Sequence, residues 1–82
     1  MTLDELMAND APRWILEGPN SGGVSGVMYW RSVVYFFHEE IGSGGLDGEV
    51  SVERYLSDNA STTDVRVRAA VDAIQKLVAE GR

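Results

Sequence analysis

The clearest hydrophobic pattern lies toward the C-terminal end of the chain. From about Thr63, residues Val67, Ala70, Val71, Ile74, Leu77 and Val78 fall on one stripe, while Arg68, Asp72, Gln75 and Lys76 fall opposite. That is the 3.6-residue period of a helix resting one face on a core. Thr62 or Thr63 offers a cap, and Asp64–Arg68 and Asp72–Lys76 offer acid-first surface pairs. Gly81 supplies the stop. At the other end, Thr2-Leu3-Asp4-Glu5 has the form of a capping box, and Leu3, Leu6 and Met7 share a face of a short helix ending near Asn9. Pro12 closes that helix by forcing its predecessor out of the helical region.

The middle of the chain carries two signals that disagree. Residues 26–41 are rich in Val, Tyr, Trp and Phe, which have strand propensity. Their spacing is helical: Val27, Trp30, Val34, Phe37 and Ile41 recur every three or four residues, polar and apolar positions do not alternate, and Gly42 sits at a C-cap position. The periodicity predicts a helix over 26–41; were it two strands, Ser32 would mark the break. Arg13–Glu17 reads as a brief strand or extended connection, and 18–23 and 42–48 as glycine-rich loops. Glu49 to Asn59 begins extended and becomes a short helix through Val52, Tyr55 and Leu56.

The expected fold is therefore mainly α: one domain over residues 1–82, with three or four helices. A short hairpin can form from Arg13–Glu17 and the residues around Val24 or Val50. The alternative is α+β, with residues 27–37 recruited into a sheet. Eighty-two residues suit one domain, and 44% hydrophobic with 24% charged residues is ordinary globular composition. No repeat, heptad array or membrane-length apolar run occurs.

Charge alters the picture more than composition does. The net charge is −6, and all of it lies in residues 1–50, where eight acids face only Arg13 and Arg31. Residues 51–82 balance five acids against five bases. Such a field disfavours nucleic-acid backbones and anionic membranes, and favours a basic protein surface. Without cysteine there is neither a disulfide framework nor a thiolate metal site, and with no signal-peptide pattern a cytoplasmic location is expected.

Catalytic motifs fail one by one. His38, the single histidine, stands in His38-Glu39-Glu40 with no second histidine four residues on, so neither a metal site nor a cofactor is expected. Ser25, in Gly23-Val-Ser-Gly26, falls one residue short of a nucleophile elbow. Gly18 and Gly23 have P-loop spacing, but Val24 and Ser25 stand where Lys and Ser/Thr must follow. The 42–48 loop misses dinucleotide spacing by one.

What remains is an aromatic segment with more apolar surface than a small core readily absorbs. Tyr29, Tyr35 and Phe36 are the candidate anchors for a protein partner with a basic surface, and Glu39, Glu40, Asp47 and Glu49 the acids that would steer it in. The expected function is a small acidic, non-catalytic interaction module. In size and charge it resembles the inhibitors of host machinery made by phages and mobile elements, anti-CRISPR proteins among them.

A second class rests on residues 51–78. Ser51-Val-Glu-Arg-Tyr-Leu56, Ser57-Asp-Asn and the helix to Leu77 are similar to the recognition and third helices of lactose-repressor-type helix-turn-helix domains. That likeness implies a DNA-binding regulator. It covers about a third of the chain, has Gly42 to Gly48 where that family has a compact turn, and lacks the basic balance that phosphate contacts need. A third class is an assembly subunit that covers its apolar flank by pairing with a second copy.

Overall fold

The computed structural model describes residues 1–17 and 23–82, with the Glu17 side chain left aside. The P-loop-like spacing from Gly18 therefore lies largely outside the described residues. The fold is α+β, with a four-stranded antiparallel sheet and three helices, and this corrects the mainly α expectation. In chain order the elements are α1 (Leu3–Ala8), β1 (Arg13–Glu17), β2 (Gly23–Trp30), β3 (Val33–Glu40), β4 (Ser43–Ser51), α2 (Val52–Asp58) and α3 (Val65–Ala79). The strands form a meander in the order β1-β2-β3-β4.

The segment expected as a helix over 26–41 is the β2–β3 hairpin. Its eight pairs run without a slip from Gly23↔Glu40 to Trp30↔Val33, around a two-residue turn at Arg31-Ser32. Both turn residues take positive φ, 47° and 68°, the sign pattern of a type I′ turn. The helical-looking stripe is thus gathered from both faces of one hairpin. Val27 and Val34 point to one side and Phe37 to the other, where separate buried clusters await them. A strand buried on both faces reads as a continuous apolar run, so no alternation warned of it.

Two layers of helix cover the two faces. On one, α2 and α3 set Val52, Tyr55, Ala70, Val71 and Ile74 against Val27, Tyr29 and Val34. On the other, α1 sets Leu3 and Leu6 against Met28, Tyr35 and Phe37. β1 (Arg13–Glu17) does pair with the segment containing Val24, but as one edge of the full sheet rather than as an isolated hairpin.

The 42–48 stretch, expected as a loop, is instead a turn and most of β4. Gly42 takes φ 81° in the turn after Ile41, so it caps a hairpin rather than a helix. The His38 ring covers Gly45, which it faces across the ladder, while Phe36 stands opposite Gly48 without covering it. The register slips once between Phe36 and Phe37, leaving Asp47 as the extra residue of a bulge.

The helix termini follow local chemistry. Thr2 Oγ1 accepts from the Glu5 amide at 3.2 Å, and its hydroxyl lies 3.3 Å from the Glu5 carboxylate. The cap of α3 is Asp64 rather than Thr62 or Thr63; its carboxylate accepts from the Arg66 and Val67 amides. Arg68 accordingly pairs with Asp72, at 3.3 Å, instead of with Asp64. Both α1 and α3 end in Schellman turns, with Asp10 (φ 53°) and Gly81 (φ 78°) at the left-handed position.

Candidate interaction surface

The seven residues singled out from sequence do not form one patch. Tyr29 and Tyr35 are core residues, 3% and 8% exposed, on opposite faces of the sheet. Burial takes both out of a partner's reach. Phe36 is different: on the α2–α3 face it remains 36% exposed, its ring tilted against Tyr55 at a centroid distance of 6.1 Å.

Around Phe36 lies an open groove of about 560 Å³. Leu16, Val50, Tyr55 and Val67 supply its apolar wall, and Asp58 and Arg54 its charged rim; Glu49 also borders it, although its register partner is Tyr35 on the opposite face of the sheet. Local folding explains the arrangement. The β4 strand runs directly into α2, which Ser51 caps by accepting from the Arg54 amide. Glu49, Tyr55 and Asp58 therefore come from one continuous stretch that turns over the end of the sheet. Asp58 meets Arg54 at 3.5 Å across an exposed helix turn, a pair that contributes little.

The Tyr55 hydroxyl is buried without a hydrogen-bond partner, and burial raises its pKa above the ordinary 10.0. A phenol in this condition is neutral at physiological pH, and its unmet hydrogen bond is a cost to the fold. Sequence spacing placed Tyr55 only on a core stripe. Nothing in the sequence marked its hydroxyl as orphaned, because that depends on what α3 and β3 bring near it.

The remaining acids are divided. Glu39 bonds to Arg13, whose guanidinium also lies 5.9 Å from the Phe37 ring centre, on the face covered by α1. Glu40 is exposed at the end of β3, beside Ile41, which is 98% exposed at the hairpin tip. Asp47 faces His38, with Nδ1 and Oδ1 2.8 Å apart on an exposed surface. His38 thus sits on a strand rather than at a helix end, with a carboxylate at one nitrogen. The register also sets Ser25 directly across from it. Among the described residues no group of three or more metal-ligating side chains forms.

Residues 51–58, which resemble a repressor recognition helix, form a two-turn helix that buries Val52 and Tyr55. The element before it is a strand, not a helix. No described helix is long and apolar enough to cross a membrane. Compared with known proteins, the chain matches no family model, no curated protein and no solved structure.

Proposed function

We propose that this chain is a non-catalytic interaction module that docks on a basic surface of a partner protein. It would act as small acidic inhibitors of phages and mobile elements do, by occupying a surface their target needs. The supporting observation is Phe36: a large aromatic left open on a strand whose neighbours are buried, in a groove rimmed by the Arg54–Asp58 pair, with Glu49 at its border. An aromatic that covers apolar area with few rotatable bonds is the usual anchor of an interface. The excess of acid in residues 1–50 gives the long-range field that speeds encounter with a basic surface. With Tyr29 and Tyr35 in the core, the anchor role narrows to Phe36, and the steering role to Glu40, Asp47 and Glu49.

The test is site-specific photo-crosslinking in the native host. A benzophenone side chain at position 36 should capture one basic protein, while the same group at Met7, exposed on α1, should not. Equal capture from both positions would count against the groove. Crosslinks to duplex DNA would favour the helix-turn-helix reading instead.

A further inference from the structure

A second groove, of about 430 Å³, lies at the opposite end of β2, where the Arg31-Ser32 turn meets the end of α3. Its apolar wall is Pro12, Trp30 and Leu77, with the buried Tyr29 behind them, and two opposite charges, Asp10 and Arg31, border it. Among the described residues neither charge lies within ion-pair distance of another side chain, and they do not pair with each other. The Arg31 guanidinium rests 4.9 Å from the Trp30 ring centre. Arg82, also on the groove, is occupied: it pairs with Glu80, and its carbonyl accepts from Tyr29 Oη at 2.7 Å.

The backbone makes this placement notable. Asp10, Arg31 and Ser32 are the non-glycine residues with positive φ among the described residues, and two of the three border this groove. Glycine or asparagine suits each position better on local grounds. The strained turn is held from both sides, since the Ser32 amide donates to Tyr29 Oη at 3.3 Å and its carbonyl accepts from the Val52 amide at 3.0 Å. Two charged side chains thus stand in costly conformations around an apolar groove, and among the described residues neither has an ion-pair partner, Arg31 resting on the Trp30 ring alone. Strain held in place by its surroundings is a mark of a functional site.

We infer that this groove binds a free α-amino acid with an apolar side chain. The planar fork of Arg31 suits a carboxylate, and Asp10 suits an ammonium group. The walls between them suit a hydrocarbon or aromatic body, and the volume lies in the range of small-ligand sites. Only a free amino acid carries both charges on one carbon; a peptide separates them along its chain. This inference is independent of the Phe36 surface.

The probes are L-phenylalanine, 3-phenylpropionate (no amine), phenethylamine (no carboxylate) and N-acetylphenylalanine amide (neither charge). Binding is read from the Trp30 indole N–H and the Leu77 methyls by NMR. Phenylalanine should saturate in the millimolar range or below, and each analogue should bind at least about tenfold more weakly. Asp10→Asn should make phenylalanine and 3-phenylpropionate equivalent, and Arg31→Asn should do the same for phenylalanine and phenethylamine. Asparagine tolerates positive φ, so both variants should keep the wild-type melting temperature. No saturable shift with phenylalanine, equal binding of all four probes, or unchanged discrimination in both variants would overturn the assignment.

Discussion

Replacing Arg31-Ser32 with Asn-Gly should stabilise this protein, and the sign of the change separates a hairpin from a helix. The two residues sit at φ 47° and 68°, where an L-residue other than asparagine costs about 1–2 kcal/mol. Glycine at position 32 removes that cost but returns about 0.5–1 kcal/mol through the freedom it gives the unfolded chain. Asparagine at 31 recovers part of the strain there and gives up the Arg31–Trp30 contact, worth about 0.5–1 kcal/mol at an exposed site. The bonds of Ser32 to Tyr29 and Val52 use backbone atoms on the turn side and survive. The net expectation is a gain of about 0.5–1.5 kcal/mol, or roughly 2–12 °C in Tm for a domain of this size. Urea denaturation and a thermal melt give both numbers. A loss of about 1 kcal/mol or more, the usual penalty for glycine inside a helix, would refute the hairpin.

Three further predictions bear on the core and the groove. Ile74→Ala removes three carbons from a fully buried site between α3 and the sheet, so the transfer loss plus the cavity should cost about 2–5 kcal/mol in urea denaturation; a loss under about 1 kcal/mol would mean that α3 packs differently. Gly26→Ala would drive its Cβ into the Trp14 carbonyl oxygen, so the edge strand β1 must shift away; it should cost about 1–3 kcal/mol and abolish hydrogen-exchange protection along β1. Tyr55→Phe removes a buried hydroxyl that has no partner and should leave stability unchanged or raise it by up to about 1 kcal/mol. Because the folded state holds the Tyr55 proton more tightly than the unfolded one, its contribution is complete below pH 10.0 and is lost as pH rises toward the folded-state pKa. Alkaline denaturation of wild type should therefore be steeper than that of Tyr55→Phe.

The parts of the fold that sequence revealed are those whose burial is one-sided. The α3 stripe, the start of α1 at Thr2 and the extended-to-helical change near Ser51 all follow from local periodicity or capping. The β2–β3 hairpin was misread because both faces are buried and its turn lacks the asparagine and glycine that announce type I′. The strand propensity of Val27 to Phe37 was the better guide, since two eight-residue strands around a two-residue turn can imitate helical spacing. The glycines of β4 read as a loop because their strand character comes from backbone pairing with β3 across the ladder, not from side chains of their own. The same limit applied to the site. Phe36 could be named as an anchor from its residue type, but its separation from Tyr29 and Tyr35 required knowing which face each occupies.

The central claim, that the Phe36 groove carries binding and the acids of residues 1–50 steer the partner to it, is tested most directly by surface plasmon resonance on the partner captured at position 36, across a salt series. Phe36→Ala should speed dissociation by about 30-fold or more, equivalent to about 2 kcal/mol, and leave association nearly unchanged. Charge reversal at Asp47 and Glu49 should slow association and flatten its salt dependence, because those acids steer encounter rather than hold the complex. Dissociation and association rates equal to wild type in both variants, with the fold intact, would contradict the account.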